Sequence, residues 1–218
     1  MIEGLVFDFD GLMLDTETPE YDAWKEIFSQ YGATLPYEEW SKCLGSDYNS
    51  FDPLEYLIQQ TGVKLDKMKI LEQQRSRSAE LASDQQPLPG VCDLIKEAKK
   101  ARLLLAVASS SDAAWVVGHL ERVQLKDSFN VICTSENVER VKPAPDLFKL
   151  AVDRLGIAPD HAVAFEDTML GIQSAKEAGL YCVAIPNEIT SRMDFSQADW
   201  VVNSMAELNV NILQQRFA

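Results

Sequence analysis

The sequence predicts an α/β protein: a parallel sheet covered by helices on both faces and interrupted by an all-helical insert. Two observations carry that prediction. From about residue 90 onward, short apolar runs alternate with helix-length amphipathic stretches, the pattern of strands buried on both faces and joined by helical crossovers. Between the first apolar run and the second, over residues 17–83, the alternation lapses into helical spacing alone.

The first run, Leu5-Val6-Phe7-Asp8-Phe9, ends in acids and a glycine, and the run from Leu103 to Ala108 ends in serines. Weaker runs follow at Val131–Cys133, Ala162–Phe165, Cys182–Ile185 and Trp200–Val202. All are short and continuously apolar, as buried strands are. Helices are expected over about 91–101, about 112–122, Asp146 to Leu155 and Met169 to Ala178. Gly156 and Gly179 follow the last two, where a chain commonly leaves a helix through the left-handed region. In the insert, Tyr21, Trp24, Ile27, Phe28 and Tyr31 recur at helical spacing, and Trp40, Leu44, Leu54, Tyr56, Leu57 and Ile58 extend the apolar material. Residues 66–82 read as a charged helix with Met68, Leu71 and Leu81 as its apolar members. Linkers fall near Asp15-Thr16 and Asp84-Gln85-Gln86-Pro87, and there is no internal repeat or low-complexity tract.

A chain of 218 residues holds one large domain or two small ones, and 46% hydrophobic with 25% charged residues excludes a disordered polymer. The net charge of −14, with no dense Lys/Arg block, argues against nucleic acid and against an anionic membrane as partner. Cys43, Cys92, Cys133 and Cys182 lie far apart without C-x-x-C spacing, so they are expected as reduced, core-packed thiols. Met1-Ile2-Glu3-Gly4 places an acid where a secretion signal needs a base, and no apolar run approaches the ~18 residues of a membrane span. A soluble, cytoplasmic monomer is the expectation.

Ligands of an open parallel sheet sit beyond the carboxyl ends of its strands, which here end at Asp8, Asp10, Ser109 and Asp167. Asp8-Phe9-Asp10-Gly11 sets two carboxylates two residues apart, and a bound divalent cation relieves their repulsion. Glu166-Asp167 would complete an oxygen-rich shell of the kind Mg²⁺ prefers. A solvated turn or a helix cap would also account for the two acids. Ser109-Ser110-Ser111-Asp112 lies between a strand and a helix, where free N–H groups favour an anion. Capping explains Ser111 and Asp112, which leaves Ser109 as the better phosphate contact. Pro143 holds Lys142 extended ahead of a helix, although a solvent-facing lysine fits that position as well. His119 and His161 sit in no nucleophile or metal motif and are expected to be structural.

Taken in order, Asp8-Phe9-Asp10-Gly11, Ser109, Lys142-Pro143 and Glu166-Asp167 with Gly171 resemble the four signature motifs of the haloacid dehalogenase superfamily, from Leu5 to about Ile185. The β-phosphoglucomutase and phosphoglycolate phosphatase branch is the most similar, through Asp8 to Thr16, Leu88-Pro89-Gly90 and Lys142 to Asp146. The resemblance implies a Rossmann-like core over 1–16 and 84–218 with an α-helical cap over 17–83. It implies a Mg²⁺-dependent phosphatase acting on a small phosphorylated metabolite through an aspartyl-phosphate. By position, Asp8 is the nucleophile and Asp10 the general acid and base, the latter binding metal through its backbone carbonyl. Ser109, with Ser110 beside it, and Lys142 would hold the phosphoryl oxygens, while Asp8, Asp167 and Glu166, the last directly or through water, would complete the metal shell.

The cap departs from the mutase pattern. Glu20 stands where the sugar-phosphate mutases carry a histidine, and, if Gly45 is the cap-loop glycine, Tyr48 with Asp47 beside it stands where they carry an arginine. Hydrolysis is therefore preferred to a mutase reaction. Glu17, Glu20, Trp24, Asp47, Tyr48 and Phe51 are the candidate leaving-group side, fitting an uncharged or cationic hydroxylated group. Competing readings are a phospho-accepting receiver module, which needs neither the length nor the insert; a dehalogenase, which lacks the second aspartate; and phosphonate cleavage, which needs a cap lysine such as Lys25, Lys42, Lys64, Lys67 or Lys69 in a recognisable setting.

Overall fold

The computed structural model describes residues 1–42, 44 and 51–217. Its sheet has six strands, all parallel: β1 (Gly4–Phe7), β2 (Leu104–Ala108), β3 (Val131–Cys133), β4 (Ala162–Glu166), β5 (Tyr181–Ala184) and β6 (Trp200–Val201). The spatial order is β3-β2-β1-β4-β5-β6. The chain works outward from β1 to β3 and then returns to the other side of β1 with β4, so the order reverses beside β1, where such sheets bind ligands.

Each strand splits its side chains between two layers. Leu5, Phe7, Leu105, Val107, Val163, Phe165 and Val183 face α5 (Val91–Lys100), α6 (Ala113–Arg122) and α9 (Val210–Arg216). Val6, Ala106, Ala108, Ala164 and Ala184 face α7 (Asp146–Leu155) and α8 (Met169–Glu177). Alanines on that second face leave room for Leu147 and Phe148, which α7 buries completely. Every expected strand and core helix is present to within a residue or two. The short α9 was not anticipated, because of its seven residues only Val210 and Leu213 are buried.

Between β1 and β2 lie α1 (Glu17–Gln30), α2 (Tyr37–Trp40), α3 (Pro53–Thr61) and α4 (Lys67–Ala82), with no strand among the described residues there. Trp24, Ile27, Phe28, Leu35, Trp40, Leu54, Leu57 and Ile70 close their own hydrophobic cluster. The expectation for α4 needs correction: Met68 is 77% exposed, and the buried face is Ile70, Gln74, Ser78 and Ala82. That face repeats every fourth residue as one side of a helix does, but its polar members line a cleft instead of a core.

Cysteine placement also needs one correction. Cys133 and Cys182 are buried, whereas Cys92 is exposed. α5 turns Val91, Leu94, Ile95 and Ala98 inward, and Cys92 falls on the opposite face. Cys43 lies outside the described residues. No helix among the described residues is long and apolar enough to cross a membrane.

Candidate active site

The carboxyl ends of β1, β2 and β4 open into a cleft of about 490 Å³ whose opposite wall comes from α1, α2 and α4. Asp8 continues the ladder past β1, its N–H donating to the Phe165 carbonyl at 3.0 Å. The chain then turns at Gly11, with φ of 75°, and Gly11 N–H donates to Leu14 O at 2.9 Å. A Cβ there would lie 2.5 Å from Asp167 Oδ2 and 2.7 Å from Asn187 Nδ2. Only glycine accommodates both the left-handed backbone and that approach.

Asp8 and Asp10 both line the cleft, but their carboxylates have different partners. Lys142 Nζ donates to Asp8 and, at 2.6 Å, to Glu166 Oε1. All three residues are buried, so Lys142 is not the solvent-facing alternative; removing one member of such a group costs about 3–5 kcal/mol. Burial pushes the Asp8 carboxyl up to about 8, against the pull of Lys142 and with help from Glu166 and Asp10. Burial alone would lower the Lys142 ammonium, yet Asp8 and Glu166 together hold it above the ordinary lysine value.

Asp10 is held by four donors. Thr16 Oγ1 and Trp115 Nε1 each reach Oδ1 at 2.8 Å, and Ser111 Oγ and Ser109 Oγ reach Oδ2 at 2.7 and 3.2 Å. This corrects the capping role expected of Ser111. Asp112 does cap α6, accepting from Trp115 N–H at 2.8 Å, but Ser109 Oγ accepts the Ser111 N–H at 3.0 Å and the Ser111 hydroxyl turns toward Asp10. Ser109 is fully buried, does not line the cleft and turns its hydroxyl to Asp10, so the phosphate contact expected of it passes to Ser110. Ser110 lines the cleft, and its hydroxyl oxygen is buried without a hydrogen-bond partner among the described residues.

At the end of β4, Glu166 Oε2 accepts from Asp167 N–H, Thr168 N–H and the Thr168 hydroxyl at 3.1, 3.2 and 3.1 Å. Gly171 lies against that carboxylate so closely that a Cβ would sit 2.0 Å from it. Asp167 Oδ2 accepts from Asn187 Nδ2 at 2.8 Å, while Oδ1 is buried with no partner among the described residues. Burial raises the Asp167 carboxyl well above its ordinary range, and Glu17, Asp8 and Glu166 add to the rise. Oxygens of Asp8, Glu166 and Asp167 lie within 4.8 Å of one another. An all-oxygen donor set with a bare, buried carboxylate oxygen fits a hard divalent cation.

From the facing wall, Glu17, Glu20, Gln74, Arg75 and Ser78 reach the cleft, with Trp40 and Leu44. Burial raises the Glu17 carboxyl well above its ordinary value, an effect the Asn187 hydrogen bond opposes. Of the expected leaving-group residues, Glu17 and Glu20 line the cleft, whereas Trp24 and Phe51 pack into the helical cluster. Gly45, Asp47 and Tyr48 lie outside the described residues. Trp115, Asn187, Gln74 and Ser78 were not anticipated. The His119 ring stands 4.3 Å from that of Trp115, while His161 sits on the surface beside Glu3.

Residues 5–185 match the profile described as haloacid dehalogenase-like hydrolase. The Bacillus subtilis protein YhcW is 43% identical over 213 residues, 98% of this chain and 96% of that one. The fructose-1-phosphate phosphatase YqaB of Escherichia coli is 31% identical over 84% of this chain and 95% of its own length. The crystal structure of CbbY from Rhodobacter sphaeroides in complex with phosphate superposes with a TM-score of 0.79 at 30% identity, covering 98% of this chain and all of that one. With the four motifs gathered on one sheet edge, these matches establish that the chain belongs to the haloacid dehalogenase-like hydrolase family.

Proposed function

We propose that the protein is a Mg²⁺-dependent phosphatase of a small phosphorylated metabolite, working through an aspartyl-phosphate on Asp8, with residues 17–83 as a cap over a core of 1–16 and 84–218. The unpartnered, buried Oδ1 of Asp167 beside Asp8 and Glu166 is the observation that carries this reading. Asp8 and Asp167, with the Asp10 backbone carbonyl, would hold the cation. Glu166, engaged on both oxygens, supports the shell and anchors Lys142. Bound there, Mg²⁺ offsets the charge of the acids and of the phosphoryl group.

Asp8 attacks phosphorus, forming an O–P bond as the bond to the leaving oxygen breaks. Lys142 and the Ser110 hydroxyl hold the non-bridging oxygens, compensating charge as it shifts between them. Asp10, in its protonated form, gives a proton to the leaving oxygen; it then takes one from the water whose attack on phosphorus releases Asp8. Ser109, Ser111, Thr16 and Trp115 aim that carboxyl.

The named phosphatase among the relatives and Glu20 on the cleft wall both favour hydrolysis over isomerisation. Family membership speaks against a receiver module, and Asp10 against a dehalogenase. A panel of sugar phosphates, phosphoglycolate and nucleoside monophosphates, assayed with and without Mg²⁺, tests the reading. Release of inorganic phosphate that EDTA abolishes is expected. Isomerised product without phosphate release, or full activity in EDTA, overturns it.

A further inference from the structure

We propose that Asn187 positions Asp167 for the divalent cation, and that the segment carrying Asn187 ties that position to the helical cap. The inference rests on the metal site proposed above and adds the residue and the segment that govern it.

Asn187 follows β5 in the loop Pro186-Asn187-Glu188-Ile189-Thr190. Its amide has two N–H donors, and the short contacts are two: Asp167 Oδ2 at 2.8 Å and the Gly11 carbonyl at 3.0 Å, with Glu17 Oε2 further off at 3.4 Å. One side chain thus bridges the loops after β1 and β4 and the first turn of α1. The amide oxygen faces the other way, accepting from Thr190 N–H at 2.8 Å and the Thr190 hydroxyl at 3.2 Å. Those donors fix the orientation, because a flipped amide would turn its oxygen toward a carboxylate and its nitrogen toward two donors. With Oδ2 of Asp167 engaged by Asn187, Oδ1 is left as the open ligand. This is how an outer hydrogen bond orients a metal ligand.

The other end of the segment belongs to the cap. Ile189 is buried in the cap's hydrophobic cluster, and Met193 packs against that cluster. The Tyr37 hydroxyl, at the start of α2, donates to the Ile189 carbonyl. The Arg192 guanidinium stands 5.0 Å from the Tyr37 ring. Residues 187–193 are therefore fastened to the metal-binding acids at one end and to the cap at the other. A shift of the cap moves the anchor of Asn187, and linkage requires that cation binding in turn favour the cap position that holds Asn187 in place.

Calorimetric titration of the substrate-free, full-length protein with Mg²⁺ reads the proposal without turnover. Asn187→Ala is expected to weaken Mg²⁺ binding by about 10–100-fold, with its circular dichroism and its Tm in EDTA close to wild type. Thr190→Val, which keeps the backbone N–H on the amide oxygen but removes the second donor, the hydroxyl, should weaken binding less, in the same direction. Tyr37→Phe, which removes only the hydroxyl that holds the Ile189 carbonyl, should weaken it by a few-fold. Wild-type affinity in Asn187→Ala, or in Thr190→Val if the alanine variant does not fold, overturns the positioning role. Weaker binding in those two with unchanged binding in Tyr37→Phe overturns the tie to the cap. A wild-type chain that takes up no Mg²⁺ overturns instead the site on which both claims rest.

Discussion

The two walls of the cleft are built on opposite principles. The sheet wall is over-determined: Asp10 has four hydrogen-bond donors, Glu166 has Lys142 and three more, and Asp8, Lys142, Glu166 and Asp167 are all nearly or fully buried. The cap wall is a helix surface, Gln74, Arg75 and Ser78 on α4 with Glu17 and Glu20 on α1, set on a hydrophobic cluster separate from the two that clamp the sheet. A group locked by several bonds has one geometry, which suits chemistry common to every phosphate ester. Side chains on the surface of a layer with its own hydrophobic cluster can differ without disturbing that geometry, provided the anchor at Ile189 is kept, which suits recognition of whatever the ester carries. Changes in the sheet wall should therefore lower turnover on every substrate, and changes in the cap wall should sort substrates.

The sharpest break concerns Asp8. Asp8→Asn keeps the shape and a contact to Lys142 but removes the oxygen proposed to attack, so turnover should fall on the order of 10⁴-fold or more for all esters, as when a nucleophile is removed elsewhere. Single-turnover phosphate release with several substrates checks it; a loss confined to one substrate would place Asp8 on the recognition side.

Asp10→Asn should cost on the order of 10²–10⁴-fold, the usual worth of a general acid. The loss should be greatest for alkyl phosphates and least for p-nitrophenyl phosphate, whose leaving group needs no proton. Trp115→Phe removes one of the four donors and should follow the same leaving-group order at a loss of a few-fold to about tenfold, since a hydrogen bond contributes about 0.5–1.5 kcal/mol. An equal loss on both substrates would mean that Trp115 supports the fold and not the aim of Asp10.

The buried acids also make a stability prediction with a definite sign. Asp8, Glu17 and Asp167 all have carboxyls raised by burial. Without metal, the folded state therefore holds protons that the unfolded chain has already released above its ordinary carboxylate values. Stability falls wherever the native state binds more protons, so Tm in EDTA should decline as pH rises from about 5 to 8. Mg²⁺ needs the ionised acids, and its stabilisation should grow over that window. At about 100 times its Kd the ion adds ~2.7 kcal/mol, roughly 5–10 °C for a chain of this size. Thermal scans with EDTA or Mg²⁺ at both pH values check it, and a Mg²⁺ shift larger at pH 5 would contradict it.

The difference between the walls also decided what the sequence revealed. Asp8, Asp10, Glu166 and Asp167 were legible because strands of a parallel sheet end on one edge, so an acid just after an apolar run has a known destination; Lys142, well past β3, was legible only through its place in a family motif. Asn187 obeys the same rule after β5, but Ile185-Pro186-Asn187 carries no charge to draw attention to it. Trp115 reads as an ordinary apolar residue of α6, and only the folded chain brings its N–H to Asp10. Gln74 and Ser78 were hidden by a sound inference misapplied: apolar residues mark a helix's inner face when that face meets a core, and α4 turns these polar residues to the cleft.

The smallest expected effect is the most informative about the cap. Gln74 and Ser78 are each 5% exposed and line the cleft opposite the acids. Replacing either by alanine removes hydrogen-bonding capacity without adding bulk. If they meet the leaving group, Gln74→Ala and Ser78→Ala should raise KM by a few-fold to about tenfold for hydroxylated substrates, the span of one neutral hydrogen bond of about 0.5–1.5 kcal/mol. On p-nitrophenyl phosphate, whose leaving group offers no hydroxyl hydrogen to bind, kcat should hold within about twofold. The ratio of kcat/KM between a sugar phosphate and p-nitrophenyl phosphate is therefore the quantity to measure. A ratio unchanged from wild type would mean that these residues belong to the fixed machinery, and the division between the walls would have to be redrawn along α4.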